Sequence, residues 1–354
     1  MKKFIGLAVA SLFSLNAATA FAEPLKVGYI YVGPIGDHGW SYQHDQGRLA
    51  VEKAFGDKVV TSYVENVSEG PDAERAIERL AREGHGLIFT TSFGFMNPTV
   101  KVAKKFPKIK FEHATGYKRG ENVSTYSSRF YEGRYVIGRI AAEVSKTGTA
   151  GYVASFPIPE VVRGINAFIL GAQSVNPDFK LKIIWVNTWF DPGKEADAAK
   201  ALIDQGADVI SQHTDSPAPL QIAAERGVMA FGQASDMSKF APKNQLTSIV
   251  DNWSDYYISR VQAVLDGTWE SADVWGGFNA DMVDMAPYAN LPDAVVADAK
   301  QTVEAISAGT LHPFQGPIFK QDGSQAIAEG ETLDDGTLLG MNWYVKGIDD
   351  KLPQ

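Results

Sequence analysis

The sequence predicts an α/β protein with two doubly wound, parallel-sheet lobes. Short β-branched runs alternate with helical stretches, which is typical of βαβ units and a parallel sheet. This alternation occurs twice, with the same order of elements in both halves of the chain. A length of 354 residues also exceeds the ~250–300 residues at which a single hydrophobic core stops growing. These observations together favour two lobes over one.

The first series of elements begins at Leu25. The strands are expected at 25–32, 59–64, 86–90 and 109–113. The helices between them are expected at 41–55, 72–83 and 98–106. This order completes one doubly wound lobe.

The second series begins near Tyr131, and its first helix ends at Lys146-Thr147-Gly148, a cationic last turn followed by glycine. Strands are then expected at 150–154, 182–186, 209–211, 228–232 and 246–250. Helices are expected at 159–175, 193–204 and 217–225. The second half therefore repeats the pattern of the first.

The last hundred residues are more irregular. A helix is expected at 252–265, and its position in the order of elements indicates that the chain returns to the first lobe there. Residues 275–285 are expected to be extended structure with turns. A further helix is expected at 294–308, followed by hairpins and loops from Gly309. No low-complexity linker separates the halves, so short strands are expected to join the lobes.

The N-terminus has the pattern of a secretory signal peptide. Two lysines precede an uncharged, mostly apolar stretch, which ends in Ala20-Phe21-Ala22. Cleavage is expected after Ala22, because small residues mark such sites. The chain has no cysteine, so a lipid anchor on a new N-terminal cysteine is excluded. We expect a soluble protein that diffuses in the periplasm.

Composition and motifs exclude several function classes. The net charge of −9 argues against a nucleic-acid partner, since phosphate binding needs clustered lysine and arginine. The sequence contains neither a nucleophile elbow nor a dinucleotide fingerprint. Its six histidines lack metal-ligand spacing. We therefore expect no catalytic residues, no metal and no cofactor.

Candidate binding residues lie in the loops that follow the strands, because open parallel sheets bind ligands beyond the carboxyl ends of their strands. These loops are rich in aromatic residues and carboxylates. Rings facing each other across a cleft would sandwich a flat ligand, and stacking contributes ~1–3 kcal/mol per base. The candidate ligand-binding residues are Trp40, Trp189, Asp236, Phe93, Asp215 and Phe130.

Four segments resemble the basic membrane protein (BMP) family of ABC transporter substrate-binding proteins, which includes purine-nucleoside receptors. They are Gly36-Asp37-His38-Gly39-Trp40 with Gln46-Gly47, Tyr126-Ser127-Ser128-Arg129-Phe130-Tyr131-Glu132-Gly133, Trp189-Phe190-Asp191-Pro192 and Leu246-Thr247-Ser248-Ile249-Val250. The resemblance covers essentially all of the chain after the signal peptide.

The resemblance implies a type I periplasmic binding protein, with two lobes joined by a hinge and a purine-type ligand between stacked rings. It implies crossovers near 126–129, 250 and 270–276. One lobe would then comprise 23–127 plus about 251–272, and the other 128–250 plus about 273–354. A small-molecule ligand and an ABC permease are the implied partners of what we expect to be a monomer.

By the same resemblance, Trp40 is the stacking ring of the first lobe and Trp189 that of the second. The chain departs from the family pattern in having tryptophan where relatives often have phenylalanine, and Gly39 where they have a polar residue. The family's ribose-contacting lysine has no counterpart here. A free purine base and a purine nucleoside therefore both remain open as ligands.

Ordinary structural roles compete with these assignments. Trp40 can instead pack the first helix onto its lobe, and Phe93 can be a core residue. Asp215 and Asp236 can each cap a helix. The alternative functions are an exported nucleoside-processing enzyme and a receptor for another flat heterocycle or a sugar. A ligand-responsive transcriptional regulator is not expected, because this chain lacks a basic DNA-binding segment.

Overall fold

Two six-stranded sheets form the centres of two lobes in the computed structural model, which describes residues 23–353. The predicted signal peptide, residues 1–22, lies outside the described residues. Among the residues that are described, no helix is long and apolar enough to cross a membrane.

The first lobe begins with eight elements. In chain order they are β1 (Leu25–Ile30), α1 (Gly39–Phe55), β2 (Val59–Val64), α2 (Pro71–Arg82), β3 (Leu87–Thr90), α3 (Met96–Lys105), β4 (Lys110–Ala114) and β5 (Val123–Ser128). The sheet order is β2, β1, β3, β4 and β5, and all of these strands are parallel.

The second lobe follows without a linker. Its elements are α4 (Phe130–Val144), β6 (Thr149–Ala154), α5 (Pro159–Val175), β7 (Lys180–Trp185), α6 (Pro192–Asp204), β8 (Val209–His213), α7 (Ala218–Arg226), β9 (Met229–Gly232) and β10 (Gln245–Asp251). The sheet order is β7, β6, β8, β9 and β10. Both sheets therefore have the same doubly wound strand order, which confirms the predicted fold class.

The remaining elements complete both lobes. They are α8 (Ser254–Leu265), β11 (Asp273–Gly276), β12 (Val283–Met285), α9 (Asp293–Ser307), β13 (Ile318–Phe319), β14 (Gln325–Ile327) and α10 (Asp335–Leu339). Strand β12 joins the second sheet antiparallel to β10. The boundary expected near 272 would place β11 in the second lobe, whereas β11 pairs in parallel with β5 in the first sheet. The chain therefore crosses for the last time after Gly276.

Side chains that point alternately to the two faces of the first sheet contact the two layers of helices. On β1, Val27 and Tyr29 pack in one cluster with Val51 of α1 and Tyr257 of α8. Ile30 faces the other side, in the cluster that contains residues of α2 and α3. Successive side chains of a strand point to opposite faces, so both faces of the sheet are covered.

The three crossings between the lobes are bonded to one another. Ser128 Oγ donates to Asp251 Oδ1 at 2.6 Å, and the backbone of Arg129 donates to the carbonyl of Gly276 at 2.6 Å. Both lobes therefore meet at one strip of short, mutually hydrogen-bonded segments, beside which the carboxyl ends of the strands open into a cleft.

Candidate functional site

A pocket lies between the lobes at the carboxyl ends of the strands, where doubly wound sheets bind ligands. Its first-lobe wall consists of Val32, Trp40, Ser92, Phe93 and Thr115. Its second-lobe wall consists of Glu160, Trp189, His213, Asp215 and Gln233. The space between these walls that is free of protein atoms, including the solvent that opens onto it, measures about 350 Å³.

Trp40 reaches the pocket from the first turn of α1 and is half-buried. Its Nε1 donates to the carbonyl oxygen of Thr91 at 2.6 Å. Its ring meets His44 and Trp253 edge-on, with centroids 4.4 and 5.6 Å away. Since Trp253 is buried, the aromatic core of the first lobe holds one side of the Trp40 ring in place.

Trp189 reaches the pocket from the loop after β7 and is also half-buried. Its Nε1 donates across the cleft to Glu69 Oε1 at 3.3 Å. Its ring tilts against Phe156, with centroids 5.2 Å apart. The neighbouring Phe190 is 37% exposed and does not line the pocket. The two predicted stacking rings thus line one pocket from opposite lobes.

The second-lobe wall carries the titratable groups. Burial raises the pKa of Asp215 from its ordinary value of 3.8 to about 8, Glu195 adds to this effect, and a hydrogen bond from the Trp40 backbone opposes it. Burial also raises the pKa of Glu160, against the attraction of Arg163 and Arg134.

His213 lines the same wall, with Nε2 3.9 Å from Glu160 Oε1. Burial lowers its pKa well below the usual range, and Arg134 and Arg163 lower it further. These shifts favour the uncharged forms of Asp215 and His213 near neutral pH. A neutral carboxyl and a neutral imidazole each offer both a donor and an acceptor.

Of the other predicted residues, Phe93 lines the pocket and the remaining two do not. Phe93 begins a short turn after β3 and faces the pocket, whereas Phe95 is fully buried in the first-lobe core. Phe130 is only 6% exposed and packs behind the wall, with its ring 5.8 Å from that of His213.

Asp236 is exposed and lies outside this pocket. Its Oδ1 accepts from the Ser238 backbone at 2.9 Å and from Gln245 Nε2 at 3.0 Å. The bond from Ser238 closes an Asx turn just before the short helical turn at Ser238–Phe240. This local bonding accounts for an acidic residue at this position without a ligand.

Several lining residues were not among the predicted ones. They are Val32, Ser92, Thr115, Glu160, His213 and Gln233. Most follow a strand directly, so position after a strand was the usable signal. Thr115 also has a φ of 62°, a conformation that β-branched residues rarely adopt and that concentrates at binding sites.

Residues 25–311 match the family described as ABC transporter substrate-binding protein, PnrA-like. The chain belongs to this family. The match covers most of both lobes and confirms the BMP resemblance of the sequence motifs.

Two curated relatives have similar full-length chains. A purine-binding protein of Brucella abortus (strain 2308) is 64% identical over 348 residues, which is 98% of this chain and 99% of the relative. A Haloferax volcanii protein, provisionally named as an ABC transporter glucose-binding protein, is 39% identical over 94% of this chain and 82% of its own.

Solved structures share the architecture. An ABC transporter solute-binding protein from Aeropyrum pernix K1 superposes with a TM-score of 0.71 at 19% identity, covering 89% of this chain and 95% of the other. At this identity the likeness concerns the fold alone, and it confirms the two-lobed periplasmic-binding-protein architecture.

Proposed function

We propose that this protein is the periplasmic receptor of an ABC importer, that it closes its two lobes around a purine base or purine nucleoside, and that it delivers this ligand to a membrane permease. Membership of the substrate-binding family supports the receptor role. The 64% identity to a protein named as purine-binding supports the ligand class.

One observation carries the ligand proposal: Trp40 and Trp189 line the same pocket from different lobes. Stacking a base on an aromatic ring contributes ~1–3 kcal/mol, and micromolar binding requires about 8 kcal/mol. Two rings supply part of this free energy, and hydrogen bonds to the rim of the base supply the rest. A flat heterocycle fits such a pair of rings better than a puckered ring does.

The polar wall supports the same ligand class. The edges of purines present donors beside acceptors. Asp215, His213 and Gln233 each offer both kinds of group when neutral. None of these side chains forms an ion pair within the pocket at neutral pH, so the wall suits an uncharged ligand better than an ionic one.

Closure of the lobes is the proposed mechanism. A ligand held by Trp40 on one side and by Trp189 on the other stabilises the closed arrangement over the open one. The short crossing segments supply the hinge. The permease then recognises the closed form, in which both lobes present one continuous surface.

The localisation rests on the N-terminal residues. The basic start, the apolar stretch and the small residues before Glu23 fit export. The released chain is therefore expected to diffuse freely in the periplasm.

The test is mass spectrometry of small molecules released by denaturing the purified protein, followed by calorimetry with adenine, hypoxanthine, guanine and their nucleosides. Binding of at least one purine in the micromolar range or tighter is expected, without cleavage of any nucleoside. Failure of every purine to bind would overturn the ligand proposal. Binding of glucose instead would favour a sugar receptor, in line with the name of the Haloferax volcanii relative.

A further inference from the structure

Helix α1, which carries Trp40, has no cap from its own preceding residues. His38 occupies the N-cap position with extended backbone and makes no capping bond with its side chain. Its Nδ1 lies 2.9 Å from Asp37 Oδ1 instead. The first turn of α1 also lacks acidic residues. Since the first backbone N–H groups of a helix have no partners within it, they need acceptors from elsewhere.

The second lobe supplies these acceptors. The Gly39 backbone donates to Ser235 Oγ at 2.7 Å. The Trp40 backbone N–H lies near the Asp215 carboxyl and lowers the pKa of this carboxyl, against the effect of burial. Ser235 is 2% exposed, so its bond is shielded from water. A side chain of the second lobe therefore accepts from a backbone N–H group at the start of α1, where the helix itself supplies no acceptor.

Gly39 allows the close approach that these bonds require. Its φ is 82°, and a Cβ at this position would lie 3.0 Å from the Asp215 carbonyl oxygen. The backbone of the second lobe therefore packs directly on the first residue of α1. This contact and the positive φ together explain why glycine stands at this position.

The acceptors are held rigidly in their own lobe. The Ser235 backbone donates to the Gln233 carbonyl at 2.7 Å, and the Asp215 backbone donates to the Trp189 carbonyl at 2.9 Å. Ala234, between Gln233 and Ser235, has a φ of 59°. Asp215 is thus bonded to the backbone of Trp189 and lies near the backbone of Trp40.

We infer that Ser235 and Asp215 cap α1 in trans, so that closing the lobes completes the N-terminus of this helix and fixes Trp40 in its ligand-binding position. This inference rests on the proposed function. Ser235 does not line the pocket, and it is therefore a positioning residue that acts through α1.

An ion pair between the lobes near the start of α1 is weaker. Lys239 forms an ion pair with Asp37, but the two side chains are 48% and 66% exposed, and exposed pairs contribute little to stability. The K239Q variant is therefore a matched control, because it removes a contact between the lobes while leaving the cap intact.

The experiment compares S235A, S235T and K239Q with the wild type by calorimetry with adenine and by hydrogen exchange of a peptide covering residues 38–44. Loss of a helix cap predicts that S235A raises Kd between about 2-fold and 30-fold. S235T keeps the hydroxyl and restores binding, and K239Q changes Kd less than about 2-fold. Adenine slows exchange at Gly39 and Trp40 in the wild type but not in S235A.

Two outcomes overturn the inference and remain distinct from failure of the proposed function. Wild-type affinity and protection in a folded S235A variant would show that the cap is dispensable, although purine binding would stand. If the wild type binds no purine, the proposed function fails. Hydrogen exchange measured without ligand still tests whether Ser235 caps α1. Equal exchange at Gly39 and Trp40 in S235A and wild type would then exclude it.

Discussion

The two walls of the pocket differ in chemistry although the two lobes share one strand order. The first-lobe wall contains aliphatic, aromatic and hydroxyl side chains, and none of them titrates. The second-lobe wall contains Glu160, His213 and Asp215 beside its tryptophan. The shared topology therefore places loops at equivalent positions in both lobes, whereas the residues in these loops give the two walls different roles. The first lobe supplies a rigid stacking surface, and the second supplies the polar and pH-dependent contacts.

Replacing the pocket tryptophans is expected to have the largest effect on ligand affinity. Replacing Trp40 or Trp189 with alanine is expected to raise the Kd for the purine about 10- to 100-fold, because each removes a stacking surface. Calorimetry measures the change in affinity.

Stability distinguishes the two variants. Trp40→Ala is expected to lower the free energy of unfolding by about 1–2 kcal/mol, since its ring packs on Trp253. Trp189→Ala is expected to lower it less, since within its own lobe it tilts against Phe156 at the cleft. Urea denaturation measures both, and a larger loss for Trp189→Ala would contradict the picture of a rigid first-lobe wall.

Asp215 should make the second-lobe wall respond to pH. In the closed cleft its pKa is about 8, above the ordinary value of 3.8. When the cleft opens, the carboxyl returns to water and to its ordinary pKa. Between pH 3.8 and pH 8, closing the cleft therefore takes up a proton. Affinity is therefore expected to fall as pH rises from 6 to 8, by up to about tenfold per unit.

The matched variant is Asp215→Asn, which keeps the shape but does not titrate. It is expected to flatten the pH dependence when Kd is measured by calorimetry at several pH values. A pH slope that is the same in wild type and variant would assign the titration to another group.

Glu160 should have a smaller effect. Its pKa is raised by burial, and the described contacts give its carboxyl no hydrogen-bonding side chain closer than the 3.9 Å separation from His213. Glu160→Gln is expected to raise Kd about 2- to 10-fold if the carboxyl contacts the ligand, the usual range for one hydrogen bond. Unchanged affinity would remove Glu160 from the ligand contacts.

Asp236 should have the smallest effect. It is exposed and forms an Asx turn outside the pocket. Asp236→Asn is expected to change Kd less than about 2-fold, since surface substitutions away from a site have small effects. A tenfold loss of affinity by calorimetry would restore the original assignment of Asp236 to the ligand.

Most elements of the fold could be predicted because their burial patterns are local. α2, for example, buries Ala73, Ile77, Leu80 and Ala81 on one helical face. β5 was missed because Val123–Ser128 is mostly serine and threonine. Its burial comes from pairing with β4 and with β11, and the partner Asp273 lies 148 residues further along the chain than Thr125. Such distant pairing leaves no local signal.

A site residue could be predicted only where a side chain typical of ligand binding follows the end of a strand. Trp40 and Trp189 met both conditions. Glu160 lies in the first turn of α5, where an acidic residue is ordinary because it interacts favourably with the helix dipole. Asp236 and Asp215 both precede helical turns, and only the three-dimensional packing separates the cap on the surface from the buried carboxyl in the pocket.

The central claim is that a flat base lies between Trp40 and Trp189, and a crystal structure of the purified protein with adenine tests it most directly. We predict density for the base between the two indole rings, with the plane of the base ~3.5–4.0 Å from each indole plane and the rim of the base facing Asp215. Density for the ligand elsewhere, or indole rings turned away from it in the closed protein, would contradict the account.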